Sequence, residues 1–370
     1  MIRRAARLSA RVVVTGCYAQ MNPDVIAGMD GVVSVVPNAK KSAIVGQLAL
    51  DAGRGFGMLN PCEGSRSRYF LKIQDGCDRA CTYCLVWKAR GNPGSVEPER
   101  VVEHARAAIE HGYSEIVLTG VHLGLYGVDL RGKINLASLL VQLLTQTRGA
   151  RFRLSSLEVN ELDGKMIDLM ADPRVCDHLH LPLQSGDDGV LARMNRRYTA
   201  YNYAQTIERI ASRFPGIGLG TDVITGFPGE DDAAHANTVA LVKSLPFTYI
   251  HVFPYSARSG TAAERIRPCV PVDLRKKRAS EIRELSDLVK NAYISSQIGE
   301  VHEVLVEKSS ASMIVQGITS NYLRAVVQGS KAQPGLYSGS IGPGRLVFMR
   351  VLRAESGQVI GIPAPNAGSA

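Results

Sequence analysis

The sequence predicts an α/β protein built on a parallel sheet, open or closed into a barrel, with a smaller α/β piece before it and a small β-barrel after it. Three observations predict this. From residue 68 onward, strand signals alternate with helix signals six times, the pattern of a parallel sheet with crossover helices. The Gly-rich and polar segments follow the strand signals, where open and closed α/β folds gather their ligands. From residue 300 the helix period stops, and short alternating strands separated by Gly, Ser and Pro take over, as in small all-β barrels.

The elements follow in order. "IRRAARL" and "RVVVTG" at the start read as the interior of a helix–strand unit. "NPDVIAGM" starts a helix at Asn22 with Pro23 in its first turn, a position that tolerates the missing N–H. "GVVSVVPN" is a second strand. Residues 51–67 carry Gly, Ser and Arg without a period and read as a linker. "RYFLKIQD" is the strand that delivers the loop beginning at Cys77. "PERVVEHARAAIEHGY" places Val101, Val102, Ala105, Ala108 and Ile109 on one helical face. Strand "EIVLTG", helix "LASLLVQLLTQ", strand "RFRLSSLE", helix "DGKMIDLMA" and strand "HLHLPLQ" come next. Helices after Asp187 and Thr199, strand "IGLGTDVITG", a helix near 231–245 and strand "FTYIHVFPYS" complete the region. A long amphipathic helix is expected over 271–299. The strands "HEVLVEKSS", "MIVQGITS", "YLRAVVQG" and "GRLVFMRVL" then form the small barrel. The domain boundaries so drawn are 1–55, a linker 56–67, 68–299, 300–356 and a tail 357–370.

Composition bounds the function. The chain has 370 residues, 45% hydrophobic and 21% charged, which suits a globular protein of two or three domains. No apolar run approaches the roughly eighteen residues of a membrane span, and the N-terminus lacks a signal peptide's apolar segment and cleavage site. A cytoplasmic location without a membrane partner is therefore expected. The net charge of +9 favours a polyanionic partner such as nucleic acid over a merely basic enzyme.

Three of the seven cysteines fall within "CDRACTYC", as Cys77, Cys81 and Cys84. Such a loop can serve a disulfide, a zinc ion or an iron–sulfur cluster. An odd total and a reducing compartment argue against a disulfide framework. Structural zinc wants four ligands, usually two separated pairs, and no second pair exists here: Cys62, Cys176 and Cys269 are isolated. A [4Fe–4S] cluster normally takes four cysteines. Given three, one iron stays open to a substrate or cofactor.

The spacing Cys-x3-Cys-x2-Cys after the first barrel strand, with Tyr83 before the last cysteine, resembles the radical S-adenosylmethionine (SAM) superfamily. Together with "EIVLTGVHLGLYG", "HLPLQSGDDGVLARMNRRYT", "TDVITGFPGE" and "FPYSARSGT", it resembles the methylthiotransferases within it. The order of parts agrees: an α/β domain, an open (β/α) partial TIM barrel, and a small barrel resembling the RNA-binding TRAM module. "LTGVHLGLYGVDL" is most similar to the branch that modifies threonylcarbamoyladenosine at tRNA position 37. The resemblance implies a [4Fe–4S] cluster on Cys77, Cys81 and Cys84, SAM, a tRNA anticodon loop as substrate, a flavodoxin-like or ferredoxin-like reductant and a sulfur donor. It implies radical abstraction of hydrogen at adenine carbon 2 and sulfur insertion there, since no side-chain base removes that proton at useful rates. It implies cofactor contacts by Tyr83, Thr119 and Gly120 at one strand end, Ser156 and Glu158 at the next, then Gln184, Ser185, Arg196 and Asp222. Arg193 and Arg197, beside Arg196, are phosphate or carboxylate candidates or a solvated face. For RNA, the terminal barrel offers Lys308, Tyr322, Arg324 and Arg345. The run Arg275, Lys276, Lys277 and Arg278 leads toward it.

Two departures stand out. "TGCYAQ" matches the last cysteine motif of the family's N-terminal domain, so Cys17 is the one remaining ligand of a second cluster. The two earlier motifs would lie upstream of Met1, and the reading is a fragment or a late start codon, doubtful for the second cluster and for sulfur insertion. After Cys84 the family commonly has proline, where this chain has Trp87; the Arg90–Gly91 pair survives. The alternatives are a methylthiotransferase for isopentenyladenosine or a ribosomal protein, and a non-catalytic RNA-binding remnant.

Overall fold

The computed structural model describes residues 1–8, 11–44, 67–310, 314–329 and 342–365. The expected linker and Cys62 lie almost wholly outside them. The first piece comprises α1 (Ile2–Leu8), β1 (Val12–Thr15), α2 (Cys17–Met21), α3 (Pro23–Ala27) and β2 (Val32–Val36), with β1 and β2 parallel. It docks on the central unit through Asn38, whose side-chain amide donates to the Ala89 carbonyl at 2.7 Å.

The central unit alternates as the sequence predicts. Its parts are β3 (Tyr69–Lys72), β4 (Gln74–Asp75), α4 (Val86–Arg90), β5 (Gly94–Ser95), α5 (Pro98–Glu110), β6 (Glu115–Thr119), α6 (Leu136–Gln146), β7 (Arg151–Leu154) and α7 (Gly164–Leu169). Then come β8 (His178–His180), α8 (Asp188–Arg193), α9 (Ala200–Arg213), β9 (Gly218–Thr225), α10 (Asp232–Ser244), β10 (Tyr249–Pro254) and α11 (Val272–Ser296). The strands form two three-stranded parallel sheets, β3-β6-β7 and β8-β9-β10. Leu157 N–H donates to the His180 carbonyl at 3.1 Å, joining them edge to edge. The result is an open (β/α) half-barrel in chain order. Helix starts are capped as the sequence suggests: the side chains of Asp187, Thr199 and Asp231 accept backbone N–H bonds.

Strand alternation sorts the two faces. Leu71, Ile116, Leu118, Phe152, Leu154, Leu179, Leu181, Leu219 and Val223 are buried in one continuous core with Val101, Leu140 and Ile207 of the helices. The other face carries Glu115, Arg151, Arg153, His178, His180, Asp222 and Tyr249, which meet one another across the strands. That polar face lines the concave side.

The last region closes into a barrel of order β11-β12-β13-β15-β14, from β11 (Val301–Ser309), β12 (Ile314–Thr319), β13 (Arg324–Gln328), β14 (Leu346–Glu355) and β15 (Gln358–Pro363). The supposed tail thus contains the fifth strand. Its alternation in "QVIGIP" is short and Gly-interrupted, and only pairing with β13 and β14 makes it a strand. Among the described residues no helix is long and apolar enough to cross a membrane.

The turn after β12 plugs the base of the half-barrel. Arg153 donates to the carbonyls of Ser320 and Thr319 at 2.9 and 3.0 Å, and Arg151 to that of Ile318 at 3.2 Å. Both guanidiniums also pair with Glu115, at 2.7 and 2.8 Å. Burial opposes the charge on Glu115, but Arg153 and Arg151 hold its pKa down at about 2. A Cβ at Gly218 would meet the Asn321 carbonyl at 2.2 Å, so glycine lets the turn approach β9.

Candidate cluster and cofactor site

The cysteine loop hangs between β4 and α4. Gly76 opens it with φ +75, and any Cβ there would strike the Asn92 carbonyl at 2.0 Å. Cys77 N–H donates to the Gly91 carbonyl at 2.9 Å, and Arg90 pairs with Asp75 at 3.3 Å. The Arg90–Gly91 pair therefore ties the loop's two ends together, and Trp87 replaces proline without disturbing that tie. From across the barrel, Thr82 N–H donates to the Met194 carbonyl at 3.1 Å and its hydroxyl to that of Arg193 at 2.8 Å. Asn195, with φ +60, donates to the Ala80 carbonyl at 3.0 Å.

Cys77, Cys81 and Cys84 are free and half-buried. Cys77 and Cys84 accept backbone N–H bonds from Arg79 and Val86 at 3.3 Å each. Burial raises the Cys81 pKa against the pull of Arg196, and Glu158 and Cys84 add to the rise. Among the described residues, two groups bring three metal-type ligand atoms within 4.8 Å of one another, and the three cysteines form neither. At least one pair of their sulfurs therefore lies more than 4.8 Å apart, a spread that a polynuclear cluster accommodates.

Around the loop stand groups from three strand ends. Glu158 Oε1 lies 2.9 Å from Arg196 Nη1, which also points at Cys81 Sγ, 3.6 Å away. Arg196 Nε donates to the Tyr198 hydroxyl at 3.0 Å. Its other terminal nitrogen, Nη2, is buried and has no partner among the described residues, an expensive state unless a ligand supplies the acceptor. His122 sits between Cys77 Sγ (3.4 Å) and Glu161 Oε1 (2.5 Å). Burial works against its charge, yet those two hydrogen bonds hold its pKa up at about 9. Gln74 orders the same corner: its oxygen accepts His122 N–H at 2.9 Å. It also presses on Gly120, where a Cβ would come within 2.9 Å.

The remaining expected contacts divide. Thr119 ends β6 and gives its carbonyl to Ile73 N–H at 2.9 Å; Ser156 is exposed. Tyr83 packs edge-on against Phe227, ring centres 6.3 Å apart, and burial pushes its pKa up. Gln184 is buried at φ +66, a strained conformation for a non-glycine residue, and its side-chain amide makes no hydrogen bond among the described residues. Ser185 goes elsewhere: it is fully buried, with its hydroxyl against Thr238 Oγ1 at 3.3 Å and accepting Asp187 N–H at 3.2 Å. It locks the start of α8 instead of facing the loop. Arg193 donates to the Gly229 carbonyl at 2.8 Å, while Arg197 is exposed. Asp222 is held by His180 Nε2 at 3.0 Å and His251 Nδ1 at 3.3 Å. Cys17 starts α2, a helix that packs on α4.

The RNA candidates change most. Tyr322 is 38% exposed, and its ring is also tied inward, stacked on His178 at 4.3 Å with Arg153 at 5.2 Å from its centre. Of the basic run, Arg278 is buried against Glu230 at 2.8 Å, and Arg275 donates to the Val270 and Tyr255 carbonyls at 2.7 and 2.9 Å. Lys276, Lys277, Lys308, Arg324 and Arg345 are exposed. Sequence reasoning missed His122, Glu161, His180, Tyr249 and His251. The alternation of "HLH" already placed His178 and His180 opposite Leu179, and His122 stood inside the strand-end motif "LTGVHLGLYG".

The family described as "Radical SAM superfamily" matches residues 71–242, which span the loop and most strands around it. A curated protein of Bacillus subtilis (strain 168), "Threonylcarbamoyladenosine tRNA methylthiotransferase MtaB", is 34% identical over 96% of this chain and 81% of its own length. The chain belongs to the radical SAM methylthiotransferases. A second relative of the same name, from Aquifex aeolicus (strain VF5), is 33% identical over 87% of this chain and 81% of its own. A "tRNA-2-methylthio-N(6)-dimethylallyladenosine synthase" of Carboxydothermus hydrogenoformans is 34% identical over 66% of this chain and 56% of its own. Among solved structures, the cobalamin-dependent SAM radical enzyme OxsB aligns with TM-score 0.49 at 11% identity, over 77% of this chain and 44% of that one. As a radical SAM methylthiotransferase, the chain is an enzyme of tRNA modification, and its superfamily works with a [4Fe–4S] cluster and SAM.

Proposed function

We propose that this enzyme methylthiolates carbon 2 of threonylcarbamoyladenosine at position 37 of tRNA, with the cluster on Cys77, Cys81 and Cys84. The observation that carries the site is Arg196, which meets Cys81 and Glu158 through Nη1 and keeps Nη2 buried without a partner among the described residues. Cys77, Cys81 and Cys84 would hold the cluster, which when bound would supply the one-electron chemistry that an unactivated C–H requires. The chain's own residues do the holding. Arg196 takes the carboxylate of SAM on its free nitrogen, and Glu158 takes the ammonium; Gln184 and Asp222 take further donors and acceptors of the cofactor. Tyr83 with Phe227 walls the loop and excludes water. His122, donating toward Cys77 Sγ, draws electron density from that sulfur.

The threonylcarbamoyl branch is supported by coverage: relatives of that name align over 96% and 87% of the chain, the dimethylallyl relative over 66%. The strand-end motif "LTGVHLGLYG" points the same way. Lys308, Arg324 and Arg345 on the barrel, with Lys276 and Lys277, are the proposed phosphate contacts. A reductant protein and a sulfur donor complete the reaction.

The test is nucleoside mass spectrometry of tRNA incubated anaerobically with reconstituted enzyme, SAM, sulfide and a reductant. Conversion of threonylcarbamoyladenosine to its methylthio form is expected; conversion of isopentenyladenosine instead would move the enzyme to the other branch. Iron analysis is its companion. About four irons per chain corresponds to one cluster, and about eight would show that Cys17 finds further ligands.

A further inference from the structure

The concave face of β8, β9 and β10 carries a hydrogen-bonded line of side chains that the cysteine loop does not touch. His178 Nε2 lies 2.8 Å from the Tyr249 hydroxyl, which lies 3.0 Å from His180 Nδ1. His180 Nε2 reaches Asp222 Oδ1 at 3.0 Å, and His251 Nδ1 reaches the same oxygen at 3.3 Å. Gly220 makes the line possible. A Cβ there would meet the Tyr249 ring at 2.0 Å, so only glycine lets that ring cross β9 from β10 to the histidines of β8.

The proton inventory fixes the direction of each bond. A tyrosine hydroxyl has one proton, so it donates to one histidine and accepts from the other. His178 is buried and neutral: burial, with Arg153 and His180 adding, drives its pKa well below the usual value. Its Nδ1 is buried without a partner among the described residues. An orphaned N–H is rarer in proteins than an orphaned acceptor, which places the His178 proton on Nε2, donating to Tyr249. Tyr249 therefore donates to His180 Nδ1, and the His180 proton sits on Nε2, donating to Asp222. Burial would raise the Asp222 pKa, but His180 and His251 hold it down at about 2. Both histidines bond Oδ1, so Oδ2 of a partly exposed, ionised carboxylate is left for a ligand.

We propose that His180 and Tyr249 are positioning residues for the cofactor: they hold Asp222 ionised and turned so that Oδ2 accepts from a hydroxyl or ammonium of SAM. This rests on the reading that Asp222 touches the cofactor. The far end of the line is the small barrel, whose Tyr322 covers His178 at 4.3 Å, so docking of that barrel helps hold the cofactor grip. A divalent cation is the rival occupant, since the His180, Asp222 and His251 ligand atoms lie within 4.8 Å. The hydrogen-bond directions disfavour it. His180 Nε2 carries a proton rather than a lone pair.

The experiment is equilibrium binding of SAM to the cluster-loaded holoenzyme, with kcat and KM for SAM cleavage, on Tyr249→Phe, His180→Ala, His180→Gln and Asp222→Asn. Tyr249→Phe keeps the ring and the packing. Loss of one neutral hydrogen bond predicts roughly a three- to tenfold weaker Kd for SAM, with KM rising in step and kcat nearly unchanged. His180→Ala weakens binding at least as much, and His180→Gln, whose amide can donate to Asp222, restores most of it. Unchanged SAM affinity in Tyr249→Phe and His180→Ala, with Asp222→Asn weakened, overturns the positioning role alone. Unchanged affinity in Asp222→Asn overturns the reading beneath it. A stoichiometric zinc or manganese ion lost in His251→Ala would also overturn the proposal in favour of the cation.

Discussion

The two ends of the half-barrel use the same residue types to opposite effect. At the base, Arg151 and Arg153 share Glu115 and spend their other N–H groups on carbonyls of the terminal barrel and, for Arg151, on the Glu303 carboxylate. At the mouth, Arg196 pairs with Glu158 but keeps one buried nitrogen without a partner. A satisfied buried ion network holds two bodies together. An unsatisfied one holds a place for a ligand, because leaving a charged donor unmet inside a protein costs more than any single hydrogen bond returns.

That contrast can be broken at either end. The largest effect is expected at the mouth. Cys81→Ala removes a cluster ligand, so methylthiolated nucleoside should fall to background in mass spectrometry and bound iron and sulfide should drop together, while the thermal transition of the apoprotein stays close to that of the parent. Retained iron would mean the three cysteines do not share a cluster.

At the base, Glu115→Gln leaves the buried Arg153 without its counter-charge and Arg151 with Glu303 alone. It should destabilise the chain by about 3–5 kcal/mol, read as a lowered denaturation midpoint. Its pH signature follows from the depressed pKa. The carboxylate's stabilisation is complete above its unfolded value, near 4.5, and is lost as pH falls toward about 2. The wild type should therefore show a loss of stability over that window that the Gln variant lacks.

Arg196→Ala comes next. Removing a charge-assisted donor costs about 1.5–3 kcal/mol, roughly ten- to a hundredfold in SAM affinity, with little change in the midpoint because part of its bonding capacity is unused without ligand. A midpoint drop as large as that of Glu115→Gln would erase the distinction between the two ends.

The smallest effect concerns Tyr322. Tyr322→Ala should lower stability by about 0.5–1.5 kcal/mol through the lost ring stack and leave the salt dependence of tRNA binding unchanged. Exposed Lys308, Arg324 and Arg345 should each flatten that dependence when neutralised. A Tyr322 variant that loses tRNA affinity at full stability would make the ring an RNA contact after all.

Much of the fold and the centre of the site were legible in the sequence. Helix α6 is "LASLLVQLLTQ" to the residue, because a clean apolar period and the Asn135 cap leave no competing register. Strands β6 and β10 announced themselves by β-branched and aromatic residues. The cysteine spacing pointed to the chemistry through its resemblance to the radical SAM superfamily. The misreadings share one cause. Arg275 and Arg278 looked solvated because basic residues usually are, the ring stack behind the exposed Tyr322 leaves no local signal, and β15 looked like a tail because six Gly-interrupted residues carry little periodic signal. Each owes its place to a partner hundreds or tens of residues away: Tyr322 to His178, Arg278 to Glu230, β15 to β13.

The sequence by itself determined the alternation of strands and helices, the cysteine loop and the family, because periodicity and motif spacing are local properties of the chain. The tertiary structure decided which of the many arginines, histidines and tyrosines belong to a site. That choice depends on which hydrogen-bonding groups meet across strands far apart in the chain, and on where a buried donor such as Arg196 Nη2, beside Glu158 and the cysteine loop, is left over when they have met.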